Sequence, residues 1–324
     1  MKIAFTWDYE LFFGEQSGSV EKCMLFPTNS LLDIAAKHEA KFTFFTDIGF
    51  LSRAEELNIS EEENSLVSGQ IARWDTEGHE TGLHIHPHWE DACFENNQWK
   101  FDLKRYKLAD FSNEEAEKVV LKYGSLLQEK VQQKITSYRA GGWCIQPFVQ
   151  IAKPLKEIGI CIESSVFVGG KNVNGPYAYD FTNAPQKESW KFEMNECVEE
   201  TSGTFLEIPI AARNYSPLFF WKLFVLGRLF PSQHKPIGNG KPAAGGGSKK
   251  DLLTKSNFFC VSADGFFVTE IENAVKEAEK LGRKSIVIIG HPKACTPYSL
   301  RKLDAIIAKL KHQHQFVCLR DLAK

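Results

Sequence analysis

The sequence predicts an α/β fold, a barrel of about seven parallel strands wrapped by helices. Three observations point there. Short apolar runs alternate with longer stretches of helical spacing, about seven such units fit into 324 residues, and polar residues directly follow several of the apolar runs. Strands separated by helices need crossover connections, so they lie parallel in one sheet. In such a barrel, polar groups at the C-terminal ends of strands carry the chemistry.

Each element has its own signal in the sequence. Residues 2–7 form a buried strand that runs straight into acidic residues. Residues 28–38 have helical spacing, and 41–46 form a second strand. A helix over 65–76 leads to a short strand at 81–84. Residues 113–133 make the best-patterned helix, with Glu and Lys spaced to pair along its face. A strand at 135–139 precedes a helix at 146–158, and strands follow at 160–163 and 205–208. The helix over 271–281 ends at Gly282, a common stop. Residues 285–289, rich in Ile and Val, are a strand, 298–312 a helix and 315–319 the last strand.

The chain reads as a single domain over 1–324, with an insertion at about 213–257 that departs from the alternation. Its first part, 214–230, is aromatic and apolar and reads as a helix, with Phe219, Phe220, Trp221, Phe224 and Phe230. A Gly-, Pro- and Lys-rich stretch follows, containing Gly238-Asn239-Gly240-Lys241 and Gly245-Gly246-Gly247-Ser248, and reads as a mobile loop. It lacks the spacing and Ser/Thr ending of a nucleotide-binding P-loop.

Composition narrows the partners. The chain is 43% hydrophobic and 25% charged, with a formal net charge of -2. A near-neutral molecule is not built to bind a polyanion, so nucleic acid is not an expected partner. The first apolar run stops at Asp8, too short for a signal-peptide core. No uncharged run approaches the roughly 20 residues of a membrane span. A cytoplasmic location is therefore expected. The eight cysteines contain no Cys-x-x-Cys pair and read as reduced thiols.

Four clusters could carry chemistry. The densest is Gly78-His79-Glu80-Thr81-Gly82-Leu83-His84-Ile85-His86-Pro87-His88-Trp89. One helical turn would put His84 and His88 on one face, and neutral imidazoles suit zinc and related metals. Pro87 disfavours a regular strand through this region. Asp8-Tyr9-Glu10 follows the first strand, so that one carboxylate could hold metal while the other takes a proton from water. Arg139, in Ser137-Tyr138-Arg139-Ala140-Gly141-Gly142-Trp143, could clamp a carboxylate, and its glycines let backbone approach a ligand. His291 stands just past the Ile286–Ile289 run, a good place for a general acid or base. Read singly, each also fits a structural role: surface histidines, a polar loop, a turn salt bridge.

Together, in this order, the four motifs resemble the polysaccharide deacetylase family and its distorted parallel barrel. Lys41-Phe42-Thr43-Phe44-Phe45 is similar to that family's second strand. The resemblance covers roughly residues 1–170 and 280–320. It implies metal ligation by Glu10, His84 and His88, the two histidines having three residues between them as in the family. It implies Asp8 as general base, Arg139 as the group that holds it, and His291 as general acid. Tyr9 departs from the family's usual adjacent aspartates, and the spacing fits its Asp-x-Glu variant. Glu163-Ser164-Ser165 is similar to a related acidic element. Gly141, Gly142, Trp143 and Trp89 are expected on the substrate side, and His86 in a structural or substrate-side role.

The implied activity is metal-dependent removal of an N-acetyl group from a sugar, with zinc as the favoured ion. The expected substrate is a lipid- or nucleotide-linked precursor of a surface glycan. Residues 214–230 could rest peripherally on a membrane, cover the site as a lid, or pack on the barrel. An amidase for small non-sugar amides and a non-catalytic glycan-binding protein are the competing readings.

Overall fold

The computed structural model describes residues 1–173, 175–243 and 248–324. Positions 245–247 of the expected loop lie outside the described residues. Along the chain run strands β1 (Lys2–Tyr9), β2 (Phe42–Asp47), β3 (Glu80–Ile85), β4 (Ser137–Ala140), β5 (Ile162–Glu163), β6 (Trp190–Phe192), β7 (Phe205–Glu207), β8 (Ala212–Tyr215), β9 (Asn257–Cys260), β10 (Ser285–Gly290) and β11 (Gln315–Phe316). The principal sheet has the order β6-β7-β5-β4-β3-β2-β1-β10, and β11 also pairs with β1. Its pairings are parallel except for the antiparallel β6–β7 edge.

Strands β1 to β3 are buried along nearly their whole length because helices cover the sheet. From Ile3 onward every residue of β1 is buried, as is all of β2 and β3. The covering helices are α1 (Phe26–His38), α2 (Gly49–Glu56), α3 (Glu61–Thr76), α4 (Asn113–Glu129) and α5 (Val149–Glu157), then α9 (Ile271–Lys280) and α10 (Pro297–Leu310) later in the chain. Helix α4 starts on a reciprocal cap: Ser112 Oγ accepts from the Glu115 amide at 3.2 Å, and the Glu115 carboxylate accepts from the Ser112 amide at 2.9 Å. Helix α2 has no counterpart in the expected elements.

The sheet curls, and its open seam is bridged by irregular chain. The amide of Ala211 donates to Val287 of β10, Val261 to Ala211, and Ala263 to Ile289. The result is the expected distorted barrel, with a frayed closure between β7 and β10.

Strands β8 and β9 frame the segment expected as an insertion and pair antiparallel. Between them stand α6 (Pro217–Leu229), α7 (Pro231–His234) and α8 (Lys249–Thr254). Tyr215, Phe219 and Phe220 form a small core of their own with Leu223, Phe224, Leu252 and the Phe266–Phe267 turn. The expectation of a mobile loop is corrected for residues 237–241. The Ile237 amide donates to Cys295, the Gly238 amide to Lys293 and the Lys241 amide to Gln16. Asn239 Oδ1 accepts from the Ser19 amide at 2.8 Å. These bonds strap the segment across the end of β1.

Candidate active site

Asp8 and Glu10 come to one side of β1 because side chains alternate along a strand. Tyr9, between them, points the other way. Its hydroxyl donates to Gln70 of α3 at 2.8 Å, and its ring meets Trp74 edge-on at 5.0 Å. Tyr9 is thus a core residue, and the Asp-x-Glu spacing is what an extended chain needs to aim both carboxylates into one cleft.

Asp8 is fixed by Arg139. The guanidinium is fully buried and donates from Nη1 to Asp8 Oδ1 at 2.7 Å. Its Nε donates to the Ser164 carbonyl at 2.7 Å and its Nη2 to Thr6 Oγ1 at 3.0 Å. The same group lies over the Phe45 ring, 4.2 Å from its centroid. Paired and hydrogen-bonded this fully, two buried charges are tolerable. Glu163 is not in the cleft. It accepts from the Ser165 amide at 2.9 Å and from the Ser165 hydroxyl, while the Ser165 hydroxyl itself accepts from the Ala140 amide. The Glu-Ser-Ser element therefore locks β4 to β5 behind Arg139.

The metal-type donors are Glu10, His84 and His86, which can each offer one atom with all three lying within 4.8 Å of one another. His84 Nδ1 donates to the Arg139 carbonyl at 2.8 Å, which leaves Nε2 facing Glu10 Oε2 at 3.2 Å. His86 Nε2 lies 2.6 Å from the same oxygen but out of line for a hydrogen bond, and neither ring nitrogen has an aligned partner. Burial holds His86 down at about 4, against the pull of Glu10, so its imidazole is neutral. Burial alone would raise Glu10, but Lys293, His86 and His84 bring it well below its ordinary value. A carboxylate and two neutral-capable imidazoles, converging with misaligned lone pairs, fit a divalent ion better than they satisfy one another.

The converging set differs from the expected ligands, in which His88 took the place of His86; the His88 ring, whose nitrogens also lack an aligned hydrogen-bond partner, lies outside the group. The cause is backbone geometry. Strand β3 runs to Ile85 and His86 remains extended at φ -109° and ψ 94°, so His84 and His86 share a face at a period of two. Pro87 then begins a tight 3-10 turn over Pro87–Asp91. His88 is carried into an aromatic box, 4.6 Å from Phe13, 5.1 Å from Tyr106 and 5.4 Å from Phe101. His79 is structural as well: its Nδ1 accepts from the Phe42 amide at 3.0 Å.

The opposite wall carries His291. Its Nδ1 faces Asp264 Oδ2 at 2.8 Å, and its amide donates to Asp264 Oδ1 at 2.7 Å. Its Nε2 points to Asp8 Oδ2 and Glu10 Oε1, at 3.7 and 3.8 Å. Burial opposes the charged ring, yet Asp264, then Asp8 and Glu10, raise it to about 9. His291 is therefore protonated near neutrality.

A cleft of about 300 Å³ opens between these walls, with Tyr106, Trp143 and Tyr177 on its aromatic side and Pro242 and Ala243 at its lip. Gly142 and Trp143, expected on the substrate side, line this cleft. Gly141 serves packing instead: a Cβ there would sit 2.6 Å from the His86 ring. The expected substrate role of Trp89 is corrected. It is fully buried, and its indole donates to Asp47 Oδ2 at 2.6 Å, because the turn after Pro87 directs it into the core. Burial raises Asp47 to about 7, although His84 and Trp89 pull it down.

Sequence reasoning missed Asp264, Lys293 and Asp47. Lys293 Nζ reaches Glu10 Oε1 at 2.8 Å and the Leu11 carbonyl at 2.6 Å. Only the second, Lys293, had a nearby signal, being two residues past His291.

No family model and no curated protein matches the chain. Solved structures do resemble it. A Mycobacterium smegmatis protein provisionally named a polysaccharide deacetylase superposes with a TM-score of 0.55 at 14% identity, over 99% of this chain and 88% of that one. A peptidoglycan N-acetylglucosamine deacetylase gives 0.44 at 16%, over 99% and 86%. A family 4 acetyl xylan esterase from Clostridium thermocellum, in complex with a cobalt ion, gives 0.42 at 12%, over 99% and 90%. The first of these, spanning nearly the whole chain, identifies the curled parallel sheet: this protein has the polysaccharide deacetylase fold.

Proposed function

We propose that the protein hydrolyses an N-acetyl group from a sugar in a metal-dependent reaction. One observation carries this reading: a three-donor metal-type cluster faces a held base and a held acid across a single cleft. Glu10, His84 and His86 would hold a divalent ion, zinc by the chemistry of the donors, which supplies polarisation of the amide carbonyl and a lowered pKa for attacking water.

The chain's own residues do the proton work. Arg139 occupies Asp8 Oδ1, so Oδ2 is the oxygen free to take a proton from the attacking water. Its partner across the cleft, His291 Nε2, lies 3.7 Å from that oxygen and starts protonated. It gives its proton to the leaving amine nitrogen, without which the C–N bond does not break readily. Asp264 keeps the ring oriented. Trp143 and Tyr177 offer faces on which a sugar ring can pack.

We also infer that the sugar is carried by a lipid or a nucleotide and is processed in the cytoplasm, with residues 214–230 in peripheral contact with a membrane. The absence of any disulfide among the eight cysteines suits a reducing compartment.

The test combines metal analysis with acetate release from N-acetylated sugars by the zinc-loaded protein. We expect acetate to appear, His86→Ala to lose both metal and acetate release, and His88→Ala to keep stoichiometric metal. No acetate from any N-acetylated sugar would overturn the deacetylase reading. Metal lost in His88→Ala but retained in His86→Ala would overturn the donor set.

A further inference from the structure

A second cleft, of about 490 Å³, lies between α6 and the Phe266–Phe267 turn. Leu223, Phe224 and the two phenylalanines of the turn make its walls apolar, and Arg228 stands on its rim. It adjoins the catalytic cleft: Ala294 lines both, and Asp264, which holds His291, lines this one. The outer face of α6 is exposed and apolar beside it. Leu218, Trp221, Val225 and Leu229 recur at helical spacing and are 43–66% exposed.

Charge points the same way. From residue 208 to residue 250 the sequence has no Asp or Glu, against seven Lys and Arg. Arg213 and Lys241 pair with Glu270, Glu277 and Glu15, and the other five form no ion pair among the described residues. Basic residues interleaved with exposed Trp and Leu on one helix are the chemistry of an anionic lipid surface.

We propose that this cleft binds the hydrocarbon chain of the substrate, an acetylated sugar linked through phosphate to a lipid. The chain lies between α6 and the Phe266–Phe267 turn, the phosphate meets Arg228, and the sugar passes Ala294 into the catalytic cleft. The proposal rests on the deacetylase reading for the sugar, but the cleft itself is testable without catalysis.

Gly227 provides the variant. It lines the cleft, and a Cβ built on it meets nothing within 4 Å, so Gly227→Phe fills the space without disturbing the fold. Replacing Gly by Phe in a helix interior also costs nothing in helix propensity, since Phe forms helix better than Gly. The binding probe is dodecyl phosphate below its micelle concentration, followed by calorimetry. The catalytic probes are the methyl and dodecyl glycosides of N-acetylglucosamine. We expect dodecyl phosphate to bind the natural protein and not Gly227→Phe. We expect KM for the dodecyl glycoside to be at least ten-fold lower than for the methyl glycoside, since burying about two methylenes is enough for that. Gly227→Phe should erase this difference and leave the methyl glycoside unaffected.

Absence of dodecyl phosphate binding, or binding and chain preference that survive in Gly227→Phe, would overturn the proposal. So would light scattering that shows a dimer broken by Trp221→Glu in a protein that does not bind the probe, for then a second copy covers this face. If dodecyl phosphate binds through the cleft but no N-acetylated sugar releases acetate, the cleft stands and the deacetylase reading falls.

Discussion

The catalytic cleft and helix α6 break the ordinary rule of burial in opposite directions. In the cleft, Asp8, Glu10 and Arg139 are 4%, 6% and 0% exposed, although charged groups rarely go inside unless paired. On α6, Trp221 and Leu229 are 52% and 66% exposed, although nothing prevents a chain of this size from covering a large apolar side chain. Each departure costs folding free energy unless something compensates. In the cleft the compensation is internal: Arg139 for Asp8, Lys293 for Glu10, Asp264 for His291. On α6 none is seen among the described residues, and the proposed lipid would supply the compensating surface from outside. On the proposal made above, the difference separates a site that is preassembled from one that a lipid would complete.

The largest effects should come from removing the internal compensation. Asp8→Asn keeps the shape and the metal donors but cannot take a proton, so turnover should fall by roughly 10²–10⁴ while metal content stays stoichiometric. Arg139→Met should do something different. It leaves the Asp8 carboxylate buried without its partner, which costs on the order of 3–5 kcal/mol of stability in denaturant titration. If Arg139→Met unfolds at the same urea concentration as the natural protein, the cleft is not held together in this way.

A smaller effect separates orientation from charge on the opposite wall. Asp264 is the main group that raises His291, from the ordinary 6.5 to about 9. A raised folded-state value means that protonation favours the fold. That contribution is complete below pH 6.5 and is lost as pH climbs through 9. The same proton is the one the leaving amine needs, so the alkaline limb of kcat should fall near pH 9. In Asp264→Asn the limb should move toward 6.5, cutting turnover at pH 8 by about ten-fold while leaving it nearly unchanged at pH 6. A loss equal at both pH values would show that Asp264 only positions the ring.

How much of this was legible in the sequence follows from the same contrast. The strands were, because β1, β2 and β10 are buried almost throughout and read as short runs dominated by apolar residues. Asp8, Glu10, Arg139 and His291 stand at strand ends, where local pattern and position suffice. His86 was misplaced because a four-residue spacing suggests one helical turn. Here the chain stays extended to His86, and the period is two. Asp264 and Asp47 were not legible at all. The first arrives on the irregular chain that closes the seam, and the second is an acid inside a strand of Phe and Thr. Helix α2 was missed because its eight residues mix Gly, Ser and charge with few apolar positions. Trp89 illustrates the limit of residue type: an aromatic beside a His motif suggested substrate, and a 3-10 turn sent it to the core.

The smallest expected effect tests the other half of the comparison. Trp221 on α6 is half exposed, and its indole donates to the Leu253 carbonyl at 3.2 Å, a single bond on an exposed surface. In dilute buffer, Trp221→Glu should change stability by no more than about 0.5 kcal/mol, the usual range for surface positions. The carboxylate would also enter a stretch rich in Lys and Arg, which favours it slightly. The buried residues of a preassembled site should behave otherwise: Asp8→Asn and Arg139→Met alter the isolated protein, whereas Trp221→Glu should be silent until a lipid surface is offered. Urea titration of the variant, alone and with phosphatidylglycerol vesicles, reads both conditions. A loss of more than about 2 kcal/mol without vesicles would mean that α6 is part of the core after all. The two regions would then differ in degree of packing and not in what completes them.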